Sequence, residues 1–150
     1  MTRRLDLSVT IAALALLAAS CRSAPAPAAV DTRNDQCRHC QMMVSSRLFA
    51  SQIVAPGEEP IFFDDLGCLA AWLQEKPLAK EAVIYVADHR TGDWVPATRA
   101  VFSRVPNLET PMGSHVVAHD SEVSRSQDQM ASGGTVLSRE EALGPGSATR

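Results

Sequence analysis

The pattern of apolar and polar positions between residues 48 and 105 predicts short strands around one helix. Strands are predicted from continuous or alternating apolar residues at 48–54, 61–63, 82–86, 94–95 and 101–105. A helix is predicted between the second and third strands, because apolar side chains recur at helical spacing at Leu66, Leu69, Ala70 and Leu73. Asp64 or Asp65 can cap its start, and Pro77 ends it.

The second half of the chain repeats this order more faintly. It predicts strands at 116–118 and 135–137, a weakly amphipathic helix at 121–131, and a short helix through Ala142 that Ser138 caps. Each half therefore has a loop, strand, helix and strand, with a methionine-bearing loop at its head. The pattern predicts an α+β fold of two small units, about 35–97 and 98–140, followed by a disordered tail at 141–150.

The first twenty residues are typical of a bacterial secretory signal rather than of the fold. Arg3 and Arg4 precede an apolar stretch too short to span a membrane, which ends at Cys21. The sequence before Cys21 resembles a lipoprotein signal, which implies a signal peptide at 1–20 and lipidation of Cys21. The alternative is a plain secretory signal. By the same resemblance, Arg22 in the place of an Asp implies that the lipid anchor lies in the outer membrane, at its periplasmic face. The Pro/Ala-rich segment 21–34 predicts a flexible, solvated tether.

Charge and composition narrow the classes of function. The 150 residues carry 14 basic and 17 acidic side chains, with a net charge of −3. Binding to nucleic acid needs clustered Lys and Arg, so this class is excluded. The aromatic fraction is only 5%, so the core must consist mainly of Val, Ile, Leu and Ala.

The cysteines carry the candidate chemistry. Lipidation of Cys21 would leave Cys37, Cys40 and Cys68, an odd number that cannot all pair. Cys37 and Cys40 form a CxxC motif, which either closes a disulfide or holds a metal. Attachment of a c-type haem needs a histidine directly after the second cysteine, and Gln41 stands there. A structural zinc site usually needs a second CxxC pair, which is absent from the sequence. A thioredoxin-like motif normally follows a strand, and the residues before Cys37 are not strand-like. Met42 adds a thioether, and soft sulfur ligands favour Cu(I).

Five motifs in order resemble the NosL family of copper-binding lipoproteins, which are linked to assembly of nitrous-oxide reductase. They are CRHCQM at 37–42, FDDLGC at 63–68, YVAD at 85–88, GDWVPA at 92–97 and TPMGS at 110–114. The resemblance covers residues 35–140 and implies two ββαβ-type units. It also implies Cu(I) as the bound metal, a site at the exported face of a membrane, and delivery to an apo-cuproenzyme or its maturation complex.

The sequence thus predicts a monomeric, non-enzymatic copper chaperone. Cys37 and Cys40 would supply thiolates, and Met42 or Met112 a thioether; Met43 and His115 are further candidates, and Cys68 is expected to lie outside the site. Met112 is included because its loop heads the second unit as Met42 heads the first. Two rivals remain: a lipid-anchored thiol–disulfide oxidoreductase using the CxxC pair, and a structural zinc lipoprotein.

Overall fold

The computed structural model describes residues 24–147, so the predicted signal peptide at 1–20 and Cys21 lie outside the described residues. The described chain contains seven strands and three α-helices. In chain order they are β1 Ser51–Val54, β2 Ile61–Phe63, α1 Leu66–Glu75, β3 Val83–Ala87, β4 Trp94–Pro96, β5 Val101–Arg104, β6 Val116–His119, α2 Glu122–Gln127, β7 Thr135–Leu137 and α3 Arg139–Leu143. Short 3₁₀ turns, Arg47–Phe49 and Pro145–Ser147, precede β1 and follow α3.

The strands form two antiparallel sheets with the same internal order. In the first sheet β1 lies between β2 and β3, with β4 at the edge beyond β3. In the second sheet β5 lies between β6 and β7. In each sheet the chain forms the central strand first and then a neighbouring strand on one side. A helix then carries the chain across to a strand on the other side of the central one. The predicted α+β fold of two ββαβ units is confirmed.

One hydrophobic core joins the two units. Its buried members come from both sheets and from α1 and α3, and they include Phe63, Leu69, Val86, Phe102 and Leu143. Phe63 and Trp72 meet edge to face with ring centroids 5.8 Å apart, so the few aromatic residues are used at the centre of the packing. Cys37 and Cys68 belong to this same core.

The structure differs from the sequence prediction at both ends of the domain. The described part of the tether, from Ala24 onward, contacts the first sheet: Tyr85 donates a hydrogen bond to the carbonyl of Pro25 (2.7 Å), and Gln52 pairs with both backbone groups of Ala28. The contacts of the fold thus extend upstream of Asp35. The prediction of a disordered tail is wrong for residues 141–147, since α3 buries Leu143 completely and Ser147 is buried as well.

Two predicted elements are shorter in the structure. The helix predicted at 121–131 is α2, Glu122–Gln127, because the Asp128 side chain turns back to accept the backbone N–H of Met130 (2.9 Å). The strand predicted from residue 48 begins at Ser51, after the 3₁₀ turn. No helix within residues 24–147 combines the length and the apolar character that crossing a bilayer requires.

Candidate metal centre

Cys37 and Cys40 lie on a tight turn upstream of β1. The N–H of Cys37 donates to the carbonyl of Met42 (2.8 Å), and the N–H of Gln41 donates to the carbonyl of Cys37 (2.9 Å). Gln41 adopts the left-handed region with φ of 65°, and its side chain donates to the carbonyl of Arg38 (2.8 Å). The turn thus closes around the CxxC motif and fixes the direction in which both cysteines leave the backbone.

Cys68 reaches the same place from the first turn of α1. Asp65 caps this helix by accepting the N–H of Gly67 (2.6 Å), while Asp64 accepts the N–H and the hydroxyl of Ser45 (2.7 and 2.9 Å). The paired acids therefore hold the helix start and the loop that follows the CxxC turn. These hydrogen bonds give both carboxylates a structural role.

The three sulfur atoms of Cys37, Cys40 and Cys68 form one cluster within 4.8 Å of one another. All three are free cysteines. Cys37 and Cys68 are buried, and Cys40 is half-buried. The spacing of the CxxC motif correctly predicts that Cys37 and Cys40 lie together. The expectation that Cys68 lies outside this group is wrong, because its sulfur lies with the other two. The only signal in the sequence was that Cys68 follows the predicted helix cap.

The cluster favours one thiolate, at Cys37. A hydrogen bond from the Cys68 thiol lowers the pKa of Cys37 most, and N–H groups of Cys40 and Asp64 with the Cys40 thiol add to it, so that despite burial the pKa falls to about 5. The pKa of Cys68 is raised, chiefly because its proton is held by Cys37. Burial raises the pKa of Cys40. A soft anion is thus already present, with two thiols that can be deprotonated as a metal binds.

The second unit repeats this arrangement around an oxygen anion. Asp88 occupies the place of Cys37, and its carboxylate accepts hydrogen bonds from the N–H of Asp120, the hydroxyl of Ser124 and the N–H of Thr91. The same three backbone hydrogen bonds, each from an N–H to a carbonyl, occur in both units. In the first unit they run from Cys37 to Met42, from Gln41 to Cys37 and from Arg38 to Phe62. In the second unit they run from Asp88 to Asp93, from Gly92 to Asp88 and from His89 to Ala118. We call each set an anion cradle. Its recurrence shows that the fold itself stabilises a negative charge at this point.

The predicted thioether donors lie on loops beside the cluster. Met42 follows the CxxC turn and is 49% exposed, and Met112 is 44% exposed. The N–H of Met112 and the hydroxyl of Thr110 donate to Oδ2 of Asp65 (3.0 and 2.6 Å). The loop of the second unit that carries Met112 is therefore fastened to the helix start that carries Cys68.

The carboxyl of Asp65 stays ionised in this position. Burial raises its pKa, but hydrogen bonds from Ser114, Thr110, Met112 and Gly67 together outweigh burial and hold the pKa of Asp65 below its usual range. Asp65 therefore acts as a charged acceptor that joins both units next to the cysteine cluster.

The remaining candidates are placed differently. Met43 is exposed at the end of the CxxC turn. Nδ1 of His115 is engaged with the carbonyl of Leu108 (2.8 Å), which leaves its Nε2 for other partners. His119 is buried at the end of β6 and bonds to Asp128 instead of joining the cysteine cluster.

Comparison with known proteins supports the copper interpretation at the level of the family. The family model described as NosL matches residues 27–143, most of the chain. Comparisons with curated proteins and with solved structures gave no significant match. The family match indicates a copper-related function, and the three-cysteine cluster can hold a metal ion.

Proposed function

The chain belongs to the NosL family, and from this premise we propose that it is a non-enzymatic Cu(I) carrier. Cys37, Cys40 and Cys68 bind the ion, and the carrier passes it to an apo-cuproenzyme, for which nitrous-oxide reductase is the candidate that the family resemblance supplies. The observation that carries the proposal is the cluster of three free cysteines, whose sulfur atoms lie within 4.8 Å of one another. Sulfur ligands of this kind select Cu(I) over harder ions.

The exposure of the cysteines suits a carrier better than a thiol–disulfide oxidoreductase. An oxidoreductase needs an accessible thiolate to attack its substrate. Here the thiolate belongs to Cys37, which is fully buried, whereas the more accessible Cys40 has a raised pKa. A partner's ligand can approach the bound ion from the side of Cys40 and replace the cysteines one at a time.

The donor set also disfavours the structural zinc alternative. Structural zinc sites are four-coordinate and closed. Within residues 24–147, the group of acidic, His and Cys side chains around the cluster has three members. Cu(I) accepts a thioether as an additional ligand, and the backbones of Met42 and Met112 are hydrogen-bonded to the CxxC turn and to the cap of α1, respectively.

Copper stoichiometry after anaerobic reconstitution tests the carrier proposal. The mature chain should take up about one Cu(I) per protein and prefer it over Zn(II), because one soft cluster is available. Cys37→Ser, Cys40→Ser and Cys68→Ala should each weaken Cu(I) binding sharply. Ser124→Ala is the matched control, because it removes the corresponding donor from the second anion cradle. Equal affinity of the Cys68→Ala variant and the wild type would remove Cys68 from the site.

Membrane attachment is the cellular part of the proposal. We propose that lipidated Cys21 anchors the carrier at the periplasmic face of the outer membrane, where an exported copper enzyme matures. Replacing Cys21 by Ser should move the protein from the membrane fraction to the soluble periplasmic fraction. Recovery of the wild-type protein in the soluble fraction would contradict the anchor without affecting the copper site.

A further inference from the structure

A second group of metal-ligating side chains is buried where the two units meet. His89 lies in the turn after β3, His119 ends β6, and Asp128 follows α2. Their ligand atoms all lie within 4.8 Å of one another, and all three residues are buried, with exposures of 3%, 0% and 5%. The cysteine site and its proposed function use none of these residues.

The two imidazoles converge on a single oxygen. Oδ2 of Asp128 lies 2.5 Å from Nδ1 of His89 and 3.0 Å from Nε2 of His119. The other carboxylate oxygen, Oδ1, accepts the N–H of Met130. Two nitrogen donors and one oxygen donor are thus held in a compact group by three separate elements. Three protein ligands are the number found in zinc sites whose fourth position is open, not in closed four-coordinate ones.

Hydrogen bonding among these groups leaves one polar atom without a partner. Nδ1 of His119 is buried and makes no hydrogen bond to the described residues. The other nitrogen of this ring, Nε2, is the one that faces Oδ2 of Asp128, so Nδ1 is not among the nitrogens that converge on the carboxylate.

We propose that His89, His119 and Asp128 bind a divalent transition-metal ion of borderline softness, of which Zn²⁺ is the representative. Imidazole and carboxylate ligands suit such ions, whereas Cu(I) prefers the sulfur cluster. The ion replaces the contacts that both imidazoles make with Oδ2 of Asp128, and each coordinating ring nitrogen presents its lone pair while the proton resides on the other nitrogen. Because His89 belongs to the first unit and the other two ligands to the second, the ion fastens the units together.

The test separates this site from the cysteine cluster. Zn²⁺ and Co²⁺ are titrated into the wild-type mature chain preloaded with Cu(I), and into a Cys37→Ser/Cys40→Ser/Cys68→Ser variant. Both proteins should bind about one equivalent, and the Co²⁺ spectrum should lack thiolate charge-transfer bands because the donors are N and O. His119→Gln and Asp128→Asn should each weaken binding by more than about tenfold, the lower end of what even supporting residues of a metal site contribute.

The control is His39→Gln in the Cys37→Ser/Cys40→Ser/Cys68→Ser variant, where it removes an exposed imidazole outside the His89, His119 and Asp128 group and should leave Zn²⁺ affinity unchanged. Absence of Zn²⁺ and Co²⁺ binding by the folded Cu(I)-loaded wild type would overturn the proposal and leave a hydrogen-bonded latch. Unchanged binding in a folded His119→Gln variant would overturn it as well, because the ion would then lie elsewhere. Neither outcome affects the Cu(I) carrier proposal, whose readout is the sulfur cluster.

Discussion

At Cys37, several donors meet one sulfur atom. Hydrogen bonds from the thiols of Cys68 and Cys40 and from the N–H groups of Cys40 and Asp64 lower the pKa of Cys37, and so favour its thiolate over its thiol. Each of these groups would lose a good acceptor if Cys37 were protonated. The charge on Cys37 is therefore a property of the folded turn and of α1 together.

The ionisation of Cys37 can be measured directly. In the reduced, metal-free protein, thiolate absorbance should titrate with a midpoint of about pH 5, whereas an ordinary cysteine titrates near pH ~8.5. Cys37→Ser should abolish this step, and Cys68→Ala should raise its midpoint because the strongest donor is lost. A first thiolate that forms only near pH ~8.5 would contradict the assignment.

The same ionisation links stability to pH. Because folding lowers the pKa of Cys37, the thiolate stabilises the folded state fully above the pKa of the unfolded thiol. This contribution declines as pH falls and is lost below about 5. The Cys37→Ser variant should therefore show a flatter dependence of the free energy of unfolding on pH between about 5 and ~8.5.

The sequence predicts the site only where its members are close along the chain. A CxxC motif brings its two sulfurs together in most backbone conformations, so Cys37 and Cys40 were predictable. Cys68 arrives because the helix start is packed on the turn by Asp64 and Ser45. That contact depends on the tertiary fold, and the helical pattern of α1 alone explained Cys68 equally well as a buried core residue.

Among the elements, α3 shows how a short polar segment becomes part of the core. Ser138 and Glu141 form a capping box in which each side chain accepts the backbone N–H of the other residue. The helix then presents Leu143 to the shared core, where the side chain is fully buried. Only the last two of its five residues are apolar, so the pattern gave no sign that this segment packs.

Leu143→Ala should test the importance of α3. The change should lower the free energy of unfolding by about 2–5 kcal/mol, because it removes buried methyl groups and leaves a cavity in the core. Urea denaturation of the metal-free protein measures the loss. Val136→Ala on β7 is the control, since Val136 is half exposed and the change should cost under about 1 kcal/mol. Equal stabilities of the two variants would mean that α3 does not stabilise the fold.

The strands, in contrast to α3, could be predicted from their local sequence. β3 and β7 are apolar, β-branched segments bounded by polar turns, and their local pattern already specifies strands. The resemblance implied two ββαβ-type units, but the order of the strands within each sheet was not predicted, because the apolar pattern does not assign antiparallel neighbours. The outer limits of the fold depended on contacts of Pro25, Ala28 and Leu143 that no local pattern reveals.

At the scale of the whole molecule, the loop of the second unit that carries Met112 lies across the start of α1 in the first unit. A Cβ atom added to Gly67 would lie 2.9 Å from Cβ of Ser114, which is closer than side chains tolerate. The loop and the helix therefore fit only because residue 67 is glycine. The position of Met112 relative to Cys68 depends on this close approach.

Gly67→Ala should separate the two units at this point. We expect the clash to displace the Met112 loop and to lower the free energy of unfolding by about 1 kcal/mol, the net of a helix gain of roughly 0.5–1 and an overpacking cost of about 1–3. Cu(I) affinity should fall as well if Met112 supplies the thioether. Gly133→Ala is the control, because nothing lies within 4 Å of its added methyl group.

Met112→Leu distinguishes the sulfur of Met112 from its packing. The side chain is nearly half exposed, and leucine conserves its volume, so the metal-free variant should keep its thermal stability. It should bind Cu(I) more weakly and transfer less to an apo-cuproenzyme. Wild-type Cu(I) affinity in this variant would leave Met42 or Met43 as the thioether donor.

The two anion cradles share a backbone arrangement but hold different anions. In one copy the anion is sulfur, which binds soft metals but is open to oxidation; in the other it is the Asp88 carboxylate, with Ser124 in the place of Cys68. Oxygen cannot be oxidised in this way and has little attraction for Cu(I). One unit thus presents soft sulfur at this point, while the other keeps the same backbone hydrogen bonds around a carboxylate.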